Sequence, residues 1–160
     1  MRDGTDRATF VDRFDAGWGA GRERFFEHFL PALVDEDVRL HQPLMPVARG
    51  HAGFRELFEG LFAAMPDLRG EVLDWRPLPD GVEIELAIHG TLADVPVEIV
   101  TRDRITLRDG RILERRAQLN PLPLVRAALR RPRTGLPLLL RPLRGLGQRY
   151  HRPHGSPSAG

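Results

Sequence analysis

One acidic side chain falls on the apolar side of a predicted strand, where a carboxylic acid can do chemistry. Apolar and polar residues alternate from residue 95 to residue 107, and Asp103 shares the apolar side with Ile105. Because burial among aliphatic neighbours disfavours a charged carboxylate, we expect Asp103 to donate or accept a proton near neutral pH. Two other interpretations stay open. Asp103 pairs with Arg104 or Arg115, or it accepts hydrogen bonds from backbone amides at a bulge.

Two polar residues stand at the end of a shorter predicted strand. Gln42 alternates in step with Val38 and Leu40, so its neutral amide is expected to point inward, as a ligand contact or as a structural hydrogen-bonding group. His41 faces outward if this strand is regular and inward if a bulge precedes Pro43. Both residues are therefore candidates for orienting a carbonyl group.

Arg115 is the candidate for stabilising negative charge. It falls on the same side of the last predicted strand as Ala117, where its guanidinium would pair with Asp103 or with a substrate oxyanion. A neighbouring strand has a polar side that would face solvent, contact a partner subunit or reach a ligand. That side carries Glu83, Glu85 and His89.

The amino-acid composition excludes several kinds of chemistry. The chain of 160 residues has no cysteine and all 24 of its basic residues are arginine, which excludes thiol nucleophiles, Cys-ligated metals and Schiff-base lysines. His41, His51 and His89 lack the spacing of metal ligands, so we expect neither a metal nor another cofactor. Polar first residues and short apolar runs predict a cytoplasmic protein without a secretory signal or a membrane span.

Hydrophobic periodicity predicts the elements that position these side chains. Apolar residues recur at helical spacing in the first part of the chain and at a spacing of two from residue 72 onward. Helices followed by an antiparallel meander predict an α+β fold with the helices on one face of the sheet. Asp80-Gly81 and Asp109-Gly110 predict hairpin turns that tolerate positive φ. The predicted helices are 7–18, 22–34, 54–65 and 122–131, and the predicted strands are 38–42, 72–77, 82–91, 95–107 and 111–119.

Charge is divided unevenly along the chain. Residues 1–120 carry 16 Arg against 22 Asp and Glu, whereas residues 121–160 carry eight Arg and no acid. The acidic body argues against nucleic acid as a partner. We expect one domain over 1–122 and a basic extension over 123–160, partly helical and disordered in its last ten residues. Residues 124–152 would solubilise the chain, contact an anionic membrane surface, or pack across a pocket mouth or a partner subunit.

Three short motifs resemble one known family. Residues 50–69 read GHAGFRELFEGLFAAMPDLR, similar to the G-x-x-x-I-R-x-F-F…P-D-L helix of SnoaL-like domains, which belong to the nuclear-transport-factor-two-like superfamily. Residues 37–40 (DVRL) resemble the family's D-D-V motif at the start of the first strand, and residues 108–112 (RDGRI) resemble its DGKI hairpin. The motifs follow the family's order within residues 7–122.

The resemblance implies a cone-shaped fold. A strongly curved antiparallel sheet would wrap three N-terminal helices, with an apolar pocket between sheet and helices and the basic extension after them. Family members include polyketide cyclases, ketosteroid isomerases, limonene epoxide hydrolase-like enzymes and proteins without catalysis, so the fold alone does not settle the function. Members commonly pair through the convex face of the sheet, and a homodimer is expected here.

The resemblance also implies roles for single residues. The catalytic Asp of cyclase- and epoxide-hydrolase-like members matches Ala117, and the base of isomerase-like members matches Gln42, so neither carboxylate is present. Asp103 corresponds to the protonated Asp with which isomerase-like members hydrogen-bond a substrate oxygen. The predicted catalytic residues are Asp103, Gln42, His41 and Arg115.

The predicted pocket would hold a flat apolar molecule, although the same helical spacing of aromatic residues also predicts plain core packing. Its predicted lining is Phe14, Trp18, Phe29, Phe54, Phe58, Phe62, Trp75, Thr101 and Ala117. The expected function is cofactor-free acid–base cyclisation or isomerisation of a small, apolar, oxygen-bearing molecule of polyketide or terpenoid type. The alternative is a non-catalytic ligand-binding or protein-interaction domain whose basic tail binds a membrane or a partner.

Overall fold

The helices and strands follow the predicted order. A computed structural model describes residues 2–43 and 45–147. Its helices are α1 (Arg2–Gly19), α2 (Arg22–Phe29), α3 (Gly50–Ala64), α4 (Leu122–Arg130) and α5 (Pro132–Gly147). Its strands are β1 (Val34–His41), β2 (Ala48–Arg49), β3 (Arg69–Leu78), β4 (Gly81–Leu92), β5 (Val95–Arg108) and β6 (Arg111–Leu119). The predicted disorder of the last ten residues concerns a segment outside the described residues.

The strands form one curved sheet that does not close into a barrel, in the order β2-β1-β6-β5-β4-β3. Strands β3 to β6 are antiparallel neighbours, as the meander predicts. Strand β1, however, runs parallel to β6, so the sheet is mixed and not antiparallel throughout. No hairpin joins these two strands, because α3 and most of the meander lie between them, and their relative direction is therefore not fixed locally.

The second helix is shorter than predicted. It ends at Phe29, and after a turn Val34 begins β1 instead of ending the helix. Pro31 lies in that turn, and its ring nitrogen cannot donate the backbone hydrogen bond that a continuing helix needs.

The two predicted Asp-Gly turns use glycine for different reasons. Asp109 and Gly110 both have positive φ, 52° and 74°, as the prediction requires. The hairpin at Asp80-Gly81 is also present, with Leu78 opposite Gly81, but Gly81 does not have positive φ. A Cβ atom at Gly81 would lie 1.9 Å from the carbonyl oxygen of Ile105, and this position therefore needs glycine for the close approach of β4 and β5.

The core lies between the helices and one face of the sheet, which we call the inner face. Alternate β4 residues supply Val82, Ile84 and Leu86, and the helices supply a group of aromatic rings. The Asp15 carboxylate of α1 accepts a hydrogen bond of 2.7 Å from the backbone amide of Val72, close to an irregularity in the β3 register. None of the helices in the described part of the chain has the length and apolarity needed to cross a bilayer.

Candidate functional site

A row of residues crosses the inner face of the sheet from strand to strand. Trp75 of β3 is opposite Ile84 of β4, Ile84 is opposite Asp103 of β5, and Asp103 is opposite Ala117 of β6. Directly opposed residues project from the same face of a sheet. The register therefore places three residues of the sequence prediction, Trp75, Asp103 and Ala117, side by side facing the helices.

Asp103 is paired with Arg115 in the interior. Asp103 is 0% exposed and Arg115 is 4% exposed. The Arg115 Nε donates to Asp103 Oδ2 at 2.7 Å, and Arg115 Nη2 lies 2.5 Å from the same oxygen. Of the interpretations open for Asp103, pairing with Arg115 is the one found. Arg104 lies on the opposite face, with its Nη2 3.7 Å from Asp80 Oδ1.

One oxygen of this ion pair and two buried polar atoms of neighbouring residues have no hydrogen-bond partner among the described residues. They are Asp103 Oδ1, Thr101 Oγ1 and Trp18 Nε1. Thr101 precedes Asp103 by two residues on the same face of β5, and the guanidinium carbon of Arg115 lies 5.7 Å from the centre of the Trp18 ring. We call Trp18, Thr101, Asp103 and Arg115 the buried polar cluster. Native proteins satisfy most buried polar atoms, so these atoms are the ones in the cluster able to hydrogen-bond water or a ligand.

The unpaired atoms of the cluster have complementary hydrogen-bonding roles. Asp103 Oδ1 is an acceptor, Trp18 Nε1 is only a donor, and the Thr101 hydroxyl is both. A partner for Asp103 Oδ1 must offer a hydrogen, and a partner for Trp18 Nε1 must offer an acceptor, which water or an oxygen-bearing ligand can do. The cluster is thus suited to an oxygen-bearing molecule with a donor and an acceptor close together.

The aromatic residues of the predicted lining lie in or against the core, where their rings pack on one another. Phe25, which the predicted lining omits, lies at their centre, with ring centroids 4.5 Å from Phe29, 4.7 Å from Phe58 and 5.2 Å from Phe62. Trp18 joins this group through an edge contact with Phe25 at 5.4 Å. The helical spacing of these rings therefore produces core packing around the cluster.

His41 and Gln42 make no hydrogen bond to the side chains of the buried polar cluster. The register of β1 is irregular between Val34 and Arg39 but regular from Arg39 to His41, so His41 faces outward with Arg39. His41 Nε2 is 3.6 Å from Glu114 Oε1. Desolvation lowers the pKa of His41, and the charge of a neighbouring guanidinium lowers it further. Gln42 follows β1 instead of belonging to it, and it is half-buried.

The polar side of β4 carries ion pairs. Glu83 lies 2.8 Å from Arg76 Nη2, and Glu85 lies 3.8 Å from Arg102 Nη2. His89 lies within 4 Å of two glutamates, at 3.8 Å and 3.4 Å. These side chains are on the outer face of the sheet, away from Asp103.

A second carboxylate cluster was not anticipated from the sequence. Arg108 donates from Nε to Asp35 Oδ2 at 2.9 Å and from Nη2 to Asp37 Oδ2 at 2.7 Å, and Nη2 also contacts Asp35 Oδ1. We call Asp35, Asp37 and Arg108 the rim cluster. The hydrogen bonds from Arg108 and from the backbone of Asp37 lower the pKa of Asp35, and both carboxylates raise the pKa of Arg108. The signal was available as the acidic run DED at residues 35–37 together with the RDG turn at 108–110.

The clearest hollows among the described residues lie at the surface. Four of them have volumes of about 290 to 570 Å³, and Asp103 lines none of these four, whereas Thr101 lines one of about 380 Å³. Residues 2–43 and 45–147 contain no group of three or more His, Asp or Glu side chains placed to bind a metal ion.

A curved open sheet with helices against its inner face is the nuclear-transport-factor-two-like fold. Residues 9–115 match the sequence profile of the SnoaL-like domain. The chain belongs to this family, and the matched segment includes all four residues of the buried polar cluster.

Solved structures share the fold at low sequence identity. A protein of Jannaschia sp. CCS1, described as a SnoaL-like polyketide cyclase, superposes with a TM-score of 0.64 and 22% identity over 77% of this chain and 91% of its own. A Bacillus cereus protein described as a polyketide cyclase superposes with a TM-score of 0.62 and 23% identity, over 77% of this chain and 80% of its own. TerC, co-crystallized with polyporic acid, superposes with a TM-score of 0.63 and 19% identity, over 74% of this chain and 96% of its own. No curated protein sequence matches the chain.

Proposed function

We propose that this protein binds a small, largely apolar molecule bearing a carbonyl and a hydroxyl or enol group, and that Asp103 catalyses its cyclisation or isomerisation without a cofactor. The observation that carries the proposal is Asp103 Oδ1. It is buried and has no hydrogen-bond partner among the described residues, while Arg115 fixes the other oxygen of the same carboxylate. Because Ala117 and Gln42 carry no carboxylate, the role of base falls to Asp103.

The proposed reaction begins with proton transfer from carbon to oxygen. Asp103 Oδ1 removes a proton from the carbon next to the substrate carbonyl, and the electron pair of the broken C–H bond moves onto the carbonyl oxygen to form an enolate. Trp18 Nε1 and the Thr101 hydroxyl are the donors available to stabilise that oxygen, and in a dry interior such donors act strongly. Arg115 keeps the carboxylate oriented throughout.

The second half of the reaction returns the proton. In an isomerisation, Asp103 gives the proton back at a different carbon and the carbonyl re-forms. In a cyclisation, the enolate carbon attacks a second carbonyl of the same molecule, a carbon–carbon bond forms, and the new alkoxide takes the proton from Asp103. Each route leaves the enzyme unchanged and needs no oxidant or reductant, and each fits general acid–base catalysis by one carboxylate.

Membership of the SnoaL-like family supports this proposal, as does the description of two structural neighbours as polyketide cyclases. The co-crystallization of a third neighbour with polyporic acid supports binding of an oxygen-bearing organic molecule by this fold.

The test uses a β-diketone, 1,3-diphenylpropane-1,3-dione, as a probe of both binding and proton transfer. Trp18 and Trp75 are the only tryptophans of the chain and both face the interior, so intrinsic fluorescence should report binding. Exchange of the C2 hydrogen for deuterium, followed by NMR, reports enolisation. Asp103→Asn should lower the exchange rate about 100-fold or more while leaving fluorescence quenching in place.

The matched control is Asp12→Asn, an exposed aspartate on α1, which should exchange as the wild type does. Equal exchange rates for wild type and Asp103→Asn would overturn the assignment of the base. Quenching of wild-type fluorescence without exchange above the buffer rate would indicate the alternative function, a non-catalytic binding domain. That alternative is favoured by the pairing of Asp103 with Arg115 and by the mutual packing of the aromatic rings.

A further inference from the structure

Helix α4 exposes a stripe of large apolar side chains to solvent. Leu122 is 43% exposed, Val125 37% and Leu129 59%. These positions are separated by three and four residues, so they share one side of the helix. The outer side of a surface helix is normally polar, and this stripe is therefore a feature that needs an explanation.

Packing on the opposite side of α4 prevents the stripe from turning inward. Ala127 and Ala128 are buried in the main core, where α4 contacts β4 and β5. Helix α5 approaches closely at Gly135, where a Cβ atom would lie 2.7 Å from the Cα of Ala128. The small residues thus fix the orientation of α4, and the leucines and valine remain on its outer side.

Arginines border the apolar stripe without acidic partners. Arg126, Arg130, Arg131 and Arg133 are exposed, and no ion pair joins them to a described carboxylate. Residues 121–160 contain no Asp or Glu at all. On the outer face of the sheet, by contrast, arginines such as Arg76 are paired with glutamates. The charge around α4 must therefore be neutralised by something outside this part of the chain.

We propose that the outer side of α4 docks on an anionic membrane surface, with Leu122, Val125 and Leu129 entering the headgroup region and Arg126 and Arg130 contacting lipid phosphates. An apolar stripe flanked by basic residues is the pattern of interfacial helices. A nucleic acid would use the arginines but leave the stripe in water. A second copy of the same helix would bring unpaired arginines against unpaired arginines.

Vesicle co-sedimentation of the full chain tests the proposal. The protein should bind vesicles of phosphatidylcholine and phosphatidylglycerol, should bind pure phosphatidylcholine vesicles at least tenfold more weakly, and should be released by salt. Arg126→Gln and Arg130→Gln should each lower the partition coefficient about fivefold, the equivalent of ~1 kcal/mol per basic residue at an anionic surface. Val125→Ser combined with Leu129→Ser should lower it roughly tenfold, because two apolar side chains no longer enter the interface.

Matched controls are available elsewhere on the surface. Leu73 and Val100 are large apolar residues of the sheet with similar exposure, 50% and 45%, so their replacement by Ser should leave vesicle binding unchanged. Arg24→Gln, at an exposed position of α2, is the control for charge. Circular dichroism of every variant establishes that it is folded before its partition is compared.

Several results would overturn the proposal. One is equal binding to neutral and anionic vesicles, and another is an equal loss of binding in the Leu73 and Val100 controls. Unchanged binding of the Val125→Ser, Leu129→Ser variant would remove the stripe from any docking role. Light scattering that shows a dimer dependent on Val125 and Leu129 would assign the stripe to a second copy. Displacement from vesicles by single-stranded DNA, with binding to that DNA insensitive to Val125 and Leu129, would assign the arginines to a polyanion.

Discussion

The buried polar cluster and the rim cluster each contain an arginine paired with an aspartate, but they differ in how many carboxylate oxygens have a partner. At the rim, Arg108 reaches both oxygens of Asp35 and one oxygen of Asp37. In the interior, Arg115 reaches one oxygen of Asp103 and leaves the other without a partner. The Arg108 side chain is 47% exposed, whereas that of Arg115 is 5% exposed.

This difference separates a structural tie from a candidate site. The rim cluster joins the start of β1 to the end of β5 through bonds that use each Asp35 oxygen. The buried polar cluster contains one acceptor and two donors that have no hydrogen-bond partner among the described residues. Buried polar atoms without a hydrogen bond lower the stability of the folded protein. Three substitutions test the contrast, in order of expected effect.

The largest effect is expected from removing the buried cation. Arg115→Ala leaves the Asp103 carboxylate without a counter-charge in the interior, which should lower the free energy of unfolding by about 3–5 kcal/mol in urea titrations. Replacing both partners, Arg115→Met with Asp103→Leu, should recover most of that loss because no charge stays buried. Arg104→Ala, on the outer face, is the control and should cost far less. A loss below about 1 kcal/mol for Arg115→Ala would contradict a charged, desolvated pair.

A smaller and pH-dependent effect is expected at the rim. Hydrogen bonds from Arg108 and the Asp37 backbone hold the pKa of Asp35 below its usual range. The stabilisation is therefore fully present above about pH 4, the ordinary range of an unfolded aspartate, and is lost as the pH falls through the lower folded-state pKa. Asp35→Asn should reduce stability at pH 7 and flatten the acid side of the stability curve measured by urea unfolding. An acid limb identical to that of wild type, or one equally flattened by Asp12→Asn, would count against the rim cluster.

The smallest effect is expected for a pair on a helix surface. Arg55 Nη1 and Glu59 Oε1 are 3.9 Å apart on α3, four residues apart in sequence, and both side chains are at least half exposed. Glu59→Gln should change the free energy of unfolding by less than about 0.5 kcal/mol. A larger change, insensitive to salt, would mean that exposure is a poor guide to ion-pair strength in this protein.

The periodicity of the sequence predicted most elements because each depends on local residues. The third helix and the strands of the meander lie within a few residues of their predicted bounds. Apolar side chains recur with a period of about 3.6 residues along the helix and of two residues along the strands. The side of β5 that Asp103 occupies followed from the same alternation. The parallel pairing of β1 with β6, and the choice between the two orientations left open for His41, did not follow, because they depend on contacts between distant segments.

The sequence by itself determined the fold class, the position of Asp103 on an apolar strand face, and the separation of an acidic body from an acid-free, arginine-rich extension. Only the tertiary structure decided that Arg115 is the partner of Asp103, that Trp18 of the first helix joins them, and that α4 presents leucines to solvent. The physical reason is that periodicity fixes which side of an element a residue is on. The neighbour that it meets there depends on strand register and helix packing, which bring together residues far apart in the chain.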